Sequence, residues 1–212
     1  HTRLQGDWSS DVCSSDLVIE HMPSAVEGGH ALSFRIGPKS FYQTNPEQAH
    51  RLYAETLKLA QIGPEDTVYD LYTGTGTIAL FMAQVAKKVV GVESVPEAIE
   101  AAKENARENG IHNAYFEVGD MRHAFQAELW ERYGRPSVLV TDPPRDGMHP
   151  KVVERLLELE IPRIVYVSCN SATQARDLAL LQEKYHVSVV QPVDMFPQTH
   201  HVENIALLEL RA

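Results

Sequence analysis

The chain has 212 residues and a formal net charge of −10 at pH 7, with 43% hydrophobic and 23% charged residues. These values are ordinary for a globular protein, and no apolar run approaches the ~20 residues of a membrane span, so we expect no membrane partner. The acidic balance argues against a broad basic surface for nucleic acids but leaves room for a local basic groove. With Cys13 and Cys169 as the only cysteines, a disulfide framework and a four-cysteine metal site are excluded, and a cytoplasmic location fits best.

The first residues differ in character from the rest of the chain. Residues 1–17 have no apolar period, and Asp11–Leu17 resembles an in-frame translation of sequencing-adapter DNA; the alternative is a disordered native tail. Residues 18–40 contain short strand-like segments around a Gly28-Gly29 turn. They are too few for a domain, so we interpret them as the remnant of a preceding central domain and residues 41–212 as the catalytic domain.

The predicted catalytic domain opens with a helix and continues as a regular alternation of strands and helices. Asn45 is a suitable N-cap with Pro46 at the first helical position, and the helix is predicted to end at about Leu59, before Gly63-Pro64. Five strands are then predicted, at Thr67–Tyr72, Lys88–Glu93, Asn113–Val118, Ser137–Asp142 and Arg163–Ser168. Each is followed by a predicted helix, at Thr77–Ala86, Pro96–Asn109, Arg122–Tyr133, Pro150–Leu159 and Ala172–Tyr185. Five such units predict a doubly wound, mostly parallel sheet.

The end of the chain departs from this alternation. Val187–Val193 and Glu203–Leu210 are predicted strands with no helix between them, so they should pair antiparallel. The resulting α/β fold is a seven-stranded sheet whose last strand is antiparallel. It is similar to the Rossmann-like fold of class I S-adenosylmethionine-dependent methyltransferases and differs from a plain dinucleotide-binding fold.

The first strand–helix turn contains the residues of a nucleotide-type cofactor site. Gly74 and Gly76 let the backbone turn tightly and approach a ligand, a pattern that fits NAD, FAD or S-adenosylmethionine. Glu93 ends the second strand, where an acid can accept both ribose hydroxyls. Asp70 precedes the glycines, where a carboxylate would hold an ammonium and repel a pyrophosphate. S-adenosylmethionine has an ammonium and no phosphate, so Asp70 favours it; the alternative for Asp70 is a capping acid.

Two further acids follow the third and fourth strands. Asp120 is placed to meet an adenine amino group, with a simple N-cap as the alternative. Asp142 begins an Asp-Pro-Pro-Arg sequence at residues 142–145, in which the prolines stiffen the loop. Such a loop can hold Asp142 toward the edge of a planar substrate, and the alternative is a proline-rich loop with a capping acid.

Cys169 ends the fifth strand in a Ser-Cys-Asn turn. A structural cysteine is the alternative, because free cysteines are often buried. Methylation of oxygen or nitrogen needs no thiol, but methylation at C5 of a pyrimidine does, because that carbon is a poor nucleophile until a thiolate adds to C6. A general base must then remove the C5 proton, and Glu203, which opens the last strand, is the candidate, with a surface role as the alternative. The paired His200 and His201 would diverge on a strand, so we predict no metal site.

Five segments together resemble the RNA uracil-5 methyltransferase family, in order and in the expected places. They are a glutamine segment at Ser40–Asn45, the turn Asp70–Gly76, DPPRDG at Asp142–Gly147, the turn Ser168–Asn170 and DMFPQTHHVE at Asp194–Glu203. The similarity covers about Phe34 to Leu210, and the last three segments together are highly specific.

The resemblance implies S-adenosylmethionine as cofactor and RNA as substrate. It implies Cys169 as nucleophile, acting through a covalent bond to C6 of a uridine, and Glu203 as general base. The predicted cofactor-binding residues are Gln43, Asp70, Tyr72, Gly74, Gly76, Thr77, Glu93, Asp120 and Asp142. The predicted substrate-binding residues are Phe41, Asp142, Pro143 and Arg145.

Two departures from the family pattern bear on function. Ser171 replaces the usual proline after the Ser-Cys-Asn turn, a change that a helix start tolerates at modest cost. The family's amino-terminal RNA-binding barrel, central domain and iron–sulfur cysteine cluster are not expected in this fragment, and their loss would explain the acidic charge.

Family precedent predicts 23S ribosomal RNA as the target, with transfer RNA as the alternative. The sequence also leaves open a methyltransferase that acts on nitrogen or oxygen, and a fragment that binds cofactor without turnover.

Overall fold

The computed structural model describes residues 17–38, 40, 42–121 and 127–211. The predicted tail up to residue 16 with Cys13, the substrate residue Phe41, and the first five residues of the helix predicted at Arg122–Tyr133 lie outside the described residues. Within the described part, no helix combines the length and the apolar character needed to cross a membrane.

One seven-stranded sheet carries most of the structure. Its strands are β3 (Thr67–Leu71), β4 (Lys88–Glu93), β5 (Ala114–Val118), β6 (Val138–Thr141), β7 (Arg163–Ser168), β8 (Tyr185–Val193) and β9 (Glu203–Leu210), in the order β5-β4-β3-β6-β7-β9-β8. Strands β3 to β7 are parallel, and β9 runs antiparallel to both of its neighbours, β7 and β8. The predicted fold is therefore confirmed. The strand order reverses between β3 and β6, and ligands bind outside the carboxyl ends of the strands at such a point.

Helices cover both faces of the sheet. They are α1 (Pro46–Ala60), α2 (Thr77–Ala83), α3 (Pro96–Glu108), α4 (Ala127–Tyr133), α5 (Pro150–Leu159) and α6 (Ser171–Leu181). One core cluster packs α1, α2 and α3 against the sheet, and the second packs α5 and α6 on the other face. Because β7 is buried on both faces, its sequence is a continuous apolar run at Ile164–Val167.

A hairpin of β1 (Val18–Met22) and β2 (Leu32–Ile36) precedes α1. Met22 and Phe34 are buried in the same core cluster as α1 and α3. The Asn109 side chain accepts a hydrogen bond from Ser33 N at 2.8 Å and donates one to Ser33 O at 2.7 Å. The hairpin is thus packed against the main sheet domain, and its origin in a preceding domain stays a prediction.

Two helices end several residues earlier than predicted, α2 at Ala83 instead of Ala86 and α6 at Leu181 instead of Tyr185, and α1 ends one residue after the predicted Leu59. Helix α1 ends at Ala60 because Gln61 adopts the left-handed conformation, with φ 49°, before the Gly63-Pro64 signal is reached. Helix α6 ends at Leu181, and Tyr185 begins β8 instead of ending the helix. The Tyr185 side chain is fully buried against the second core cluster, and this packing outweighs the local helical pattern.

Candidate active site

Two adjoining cavities open at the carboxyl edge of the sheet, with volumes of about 450 and 550 Å³. We call them the cofactor cavity and the substrate cavity. Four side chains line both, and they are Tyr42, Gln43, Tyr72 and Asp142. A molecule in one cavity would therefore lie next to a molecule in the other, which is the arrangement that a group transfer needs.

The loop after β3 forms the wall of the cofactor cavity. Tyr72 has φ 62°, which is unusual for a residue other than glycine, and Gly74 and Gly76 have φ 54° and 83°. Glycine adopts such angles without strain, whereas the Tyr72 backbone is strained and must be held by the surrounding structure, as is common at functional sites. Gly74 and Thr77 line the cavity, whereas Gly76 is the N-cap of α2 and packs against Ala102 and Phe116.

Asp70 lies beneath this loop and is 1% exposed. Its Oδ2 accepts a hydrogen bond from Thr73 Oγ1 at 2.6 Å, while its Oδ1 has no hydrogen-bond partner within the described part of the chain. Burial raises the pKa of Asp70 to about 7, and the nearby carboxylate of Glu93 adds to the shift. A buried carboxylate oxygen without a partner favours a positively charged ligand, so Asp70 fits the ammonium of S-adenosylmethionine.

Glu93 lines the cofactor cavity from the end of β4. Its Oε2 accepts a hydrogen bond from Gly74 N at 3.3 Å, and its Oε1 accepts from Ser94 N at 2.7 Å and Val95 N at 3.1 Å. These bonds orient the carboxylate and tie it to the glycine turn. Asp120 follows β5 and is not among the residues that line the cavity. Burial raises the pKa of Tyr72 to about 12, and the carboxylates of Asp177, Asp120 and Glu93 add to the shift.

Gly91 in β4 is a site-forming residue that the sequence analysis missed. A Cβ atom there would lie 2.7 Å from Phe116 Cδ1 and 2.8 Å from Thr73 Oγ1, the group that bonds Asp70. Any side chain would displace Thr73 or Phe116. An isolated glycine inside an apolar strand was the available signal, because it often marks a close approach of two segments.

Cys169 follows the carboxyl end of β7, lines the substrate cavity and is half-buried. Burial raises the pKa of the Cys169 thiol, and Glu203 and Asp142 raise it further. A hydrogen bond from the Arg145 side chain acts in the opposite direction and stabilises the thiolate. Its place at a cavity and its partial exposure distinguish Cys169 from a core cysteine, while its thiol pKa is raised overall.

Arg145 links the loop after β6 to the loop after β8. Its Nη2 lies 3.0 Å from Nδ1 of His201, and its backbone carbonyl accepts hydrogen bonds from Asn170 Nδ2 and Thr173 Oγ1, both at 3.0 Å. The prediction that His200 and His201 diverge is wrong, because they lie in a loop and not on a strand. Their ring centroids are 4.1 Å apart.

Glu203 begins β9 and points into the substrate cavity, with 8% of the residue exposed. Burial raises its pKa, and Arg145 opposes that shift. Pro143 and Arg145 line the same cavity, and their contact with a substrate stays a prediction. Phe196 lines it as well, although the sequence analysis assigned it no role. Its position in the segment Asp194–Glu203 was the signal that could have identified it.

Asp142 stands where the two cavities meet. Burial raises its pKa to about 8, and the carboxylates of Glu203 and Asp70 add to the shift. A raised acid pKa means that the folded protein binds the proton more tightly than the unfolded chain. Protonated Asp142 therefore contributes fully to the free energy of unfolding at low pH, and this contribution is lost as the pH rises through about 8.

We expect Asp142→Asn to stabilise the protein in alkaline solution, because the amide replaces a carboxylate that is costly to ionise in the fold. At about pH 9 the melting temperature should rise by roughly 2–4 °C, equivalent to about 1 kcal/mol for a chain of this size, and at about pH 5 the rise should be smaller. Thermal unfolding monitored by circular dichroism at both pH values measures this. An equal or lower melting temperature for the variant at high pH would contradict the assignment.

Comparison with known proteins shows the family of the chain. A family model described as tRNA (uracil-5-)-methyltransferase matches residues 12–211. The chain belongs to this family. The prediction of S-adenosylmethionine as cofactor is confirmed at the level of the family.

Proteins of several bacteria are similar to this chain in sequence. It is 58% identical over 192 residues to a protein of Bacteroides thetaiotaomicron, covering 91% of this chain and 42% of that protein. It is 53% identical over 191 residues to a protein of Porphyromonas gingivalis, covering 89% of this chain and 40% of the relative. Both are named as uncharacterized RNA methyltransferases. The chain thus spans about two fifths of the length of these relatives.

Solved structures of methyltransferases are also similar to this chain. The chain is similar to the tRNA (uracil-54, C5)-methyltransferase of Pyrococcus abyssi, a complex with S-adenosyl-L-homocysteine, with a TM-score of 0.75 and 33% identity. The match covers 91% of this chain and 44% of the archaeal one. The N-methyltransferase NodS of Bradyrhizobium japonicum matches with a TM-score of 0.65 and 14% identity over 81% of this chain and all of the other, which supports the fold alone.

Proposed function

We propose that this chain carries the catalytic domain of an enzyme that methylates C5 of a uridine in RNA. The observation that supports this most strongly is that Cys169 and Glu203 line one cavity, which shares Asp142 with the cofactor cavity. A nucleophile and a base on one side of a group-transfer site are what C5 methylation needs, whereas methylation of nitrogen or oxygen needs no thiol.

The residues around the cofactor cavity fit S-adenosylmethionine. Glu93 lines the cavity and offers its carboxylate to the ribose hydroxyls. Asp70 is not among the lining residues, but it lies directly beneath the loop that forms the wall and offers its unpartnered oxygen to the ammonium. Gln43, Tyr72, Gly74, Thr77 and Asp142 also line the cavity, whereas Gly76 and Asp120 do not. S-adenosylmethionine, when bound, supplies an electrophilic methyl group to C5 and leaves as S-adenosylhomocysteine.

In the proposed reaction, a flipped uridine enters the substrate cavity. The Cys169 thiolate forms a bond to C6, and the electron pair of the C5–C6 double bond moves toward C5 and the O4 carbonyl, so that C5 can take the methyl group. Glu203 then removes the C5 proton, the double bond returns, and the bond between C6 and Cys169 breaks. Each group ends in its starting state, except that Glu203 must release one proton to solvent.

The side chains around Cys169 prepare these steps. Arg145 stabilises the thiolate against the neighbouring carboxylates. With a pKa of about 8, Asp142 is largely protonated at neutral pH and can donate a hydrogen bond to a uracil carbonyl. The two cysteines of the chain are consistent with a reducing cytoplasm, where Cys169 remains a thiol.

We propose 23S ribosomal RNA as the target and transfer RNA, which the name of the Pyrococcus abyssi enzyme specifies, as the alternative. Mapping 5-methyluridine in all RNA of a strain that lacks the gene tests this. We expect one uridine of 23S ribosomal RNA to lose its 5-methyl group and to regain it when the gene is restored. Loss at a transfer RNA uridine would establish the alternative target. An unchanged 5-methyluridine map would overturn the proposed function and favour a chain that binds cofactor without turnover.

A further inference from the structure

The helix that follows Cys169 buries polar side chains where a helix normally buries apolar ones. On α6, Gln174 and Asp177 are each 1% exposed, and Leu181 completes the buried face. Uncompensated burial of an amide and a carboxylate costs several kcal/mol, so such groups are retained only where their hydrogen bonds are satisfied. The polar groups of both residues make hydrogen bonds to the segments that carry the predicted catalytic groups.

Asp177 holds the loop that carries Asp142 and Arg145. Its Oδ2 accepts hydrogen bonds from Met148 N and from the Tyr166 hydroxyl, both at 2.8 Å. Its Oδ1 accepts from Arg176 Nη2 at 2.8 Å, and the same nitrogen donates to Asp146 O at 2.9 Å.

Gly147 completes this contact between the loop and α6. It has φ 78°, and a Cβ atom there would lie 2.6 Å from Asp177 Oδ2. The loop therefore approaches α6 so closely that only glycine fits, and the carboxylate fixes its position.

Gln174 holds the two strands that carry Cys169 and Glu203. Its Nε2 donates hydrogen bonds to Tyr166 O at 2.8 Å and to Asn204 O at 3.1 Å. Its Oε1 accepts a hydrogen bond from Asn204 Nδ2. Tyr166 lies three residues before Cys169 on β7, and Asn204 follows Glu203 on β9, opposite Ser168.

We propose that Gln174 and Asp177 are positioning residues that set the relative places of the nucleophile Cys169, the base Glu203 and the substrate loop. This inference rests on the proposed function, because it assumes that these three groups act on one uridine. They reach the site on three separate segments, and a displacement of about 1 Å between reacting groups can lower a rate about 100-fold. Because α6 makes hydrogen bonds to all three segments, it prevents them from shifting relative to one another.

The test uses near-isosteric variants in the full chain, Asp177→Asn and Gln174→Met, because larger changes could prevent folding. The matched control is Asp66→Asn, a carboxylate at the opposite edge of the sheet that joins segments in a similar way. Asp66 accepts hydrogen bonds from Ser137 Oγ at 2.6 Å and Gly63 N at 2.8 Å, and it pairs with Arg163. A merely structural role of the α6 residues would make all three variants behave alike.

The first measurement is covalent adduct formation with RNA that contains 5-fluorouridine, which has no C5 proton to remove. We expect each α6 variant to form adduct about 10- to 100-fold more slowly than the parent, and the control to stay within about twofold. The affinity for S-adenosylmethionine, measured by calorimetry, should stay within about twofold in all variants. Adduct rates equal to that of the control would overturn the inference.

The second measurement needs no RNA and is the pH midpoint of Cys169 alkylation by iodoacetamide, followed on the Cys169 peptide by mass spectrometry. The charged or titratable groups that line the cavity with Cys169 are Tyr42, Tyr72, Asp142, Arg145, His201 and Glu203. Asp177→Asn loosens the Asp146–Met148 part of the loop, which leaves the Arg145 backbone held by its bonds to Asn170 and Thr173. The Arg145 side chain should then stabilise the thiolate less well, so the midpoint should rise, although loss of a negative charge by itself would lower it. Gln174→Met is neutral and loosens Glu203, so the midpoint should fall.

The two measurements separate the possible failures. If the parent chain forms no adduct but the two midpoints shift in opposite directions, the proposed function fails. What then stands is that Gln174 and Asp177 fix the positions of Cys169, Glu203 and the Arg145 loop, without a role in methyl transfer to a uridine. If the parent forms adduct but the alkylation midpoints of Asp177→Asn and Gln174→Met both equal the midpoint of Asp66→Asn, the proposed function stands and the positioning role is overturned.

Discussion

Cys169→Ala is expected to abolish methyl transfer to RNA, lowering the turnover rate by roughly 10⁴-fold or more, as loss of a covalent nucleophile does in other enzymes. Without the thiolate, C5 of the uridine stays a poor nucleophile, and neither Glu203 nor the cofactor can compensate. The variant should also form no covalent adduct with RNA that contains 5-fluorouridine. Transfer of a radiolabelled methyl group and denaturing electrophoresis of the RNA–protein mixture measure the two effects.

Two control variants make this result specific. Cys13→Ala removes the other thiol of the chain and should leave both measurements unchanged. Cys169→Ser retains the size of the side chain but not its acidity, and it should be as inactive as the alanine variant. Affinity for S-adenosylmethionine should be retained, because Cys169 lines the substrate cavity and not the cofactor cavity. Full transfer activity of Cys169→Ala would show that the thiol is structural and would favour methylation of nitrogen or oxygen.

Glu203→Gln is expected to separate the two halves of the reaction. The amide cannot accept the C5 proton, so turnover should fall by roughly 10²–10⁴-fold, the usual contribution of a general base. Addition of Cys169 and transfer of the methyl group do not need this base, so a methylated RNA–protein adduct should accumulate on ordinary uridine RNA. Electrophoresis with a radiolabelled methyl group would detect that adduct, which the parent chain releases.

The pH dependence of methyl transfer and of adduct formation gives an independent check on the role of Glu203. Both Cys169 and Glu203 must lose a proton before they act, and burial raises the pKa of each above its ordinary value. The transfer rate of the parent should therefore increase with pH as Cys169 and Glu203 lose their protons, and it should stop increasing as the pH passes about 8, where Asp142 loses the proton that it donates to the uracil carbonyl. In Glu203→Gln, adduct formation should start at a lower pH, because the Glu203 carboxylate no longer opposes the thiolate. Normal turnover by this variant would remove Glu203 from the mechanism.

Much of the fold could be predicted from the sequence, because its information is local. The bounds of β4, β7, β9 and α5 agree with the predictions, and Asn45 caps α1 by accepting a hydrogen bond from Gln48 N at 3.3 Å. The alternation of apolar runs with helical patterns determines a parallel sheet, and the missing last helix determines the antiparallel end. Errors occurred where long-range packing decided the outcome, as at Tyr185, whose burial ends α6 early.

By itself, the sequence predicted the chemistry that we propose for the site, since a thiol at one strand end and an acid at another limit the reactions available. It also predicted that Asp70 and Glu93 lie near one another at the proposed cofactor site, because parallel strands bring their carboxyl ends to one edge. Only the tertiary structure decided how these groups are held together. Gln174 and Asp177 have the local appearance of ordinary polar helix residues. Their partners Asn204 and Met148 lie 30 and 29 positions away along the chain, too far for any periodic pattern to reveal.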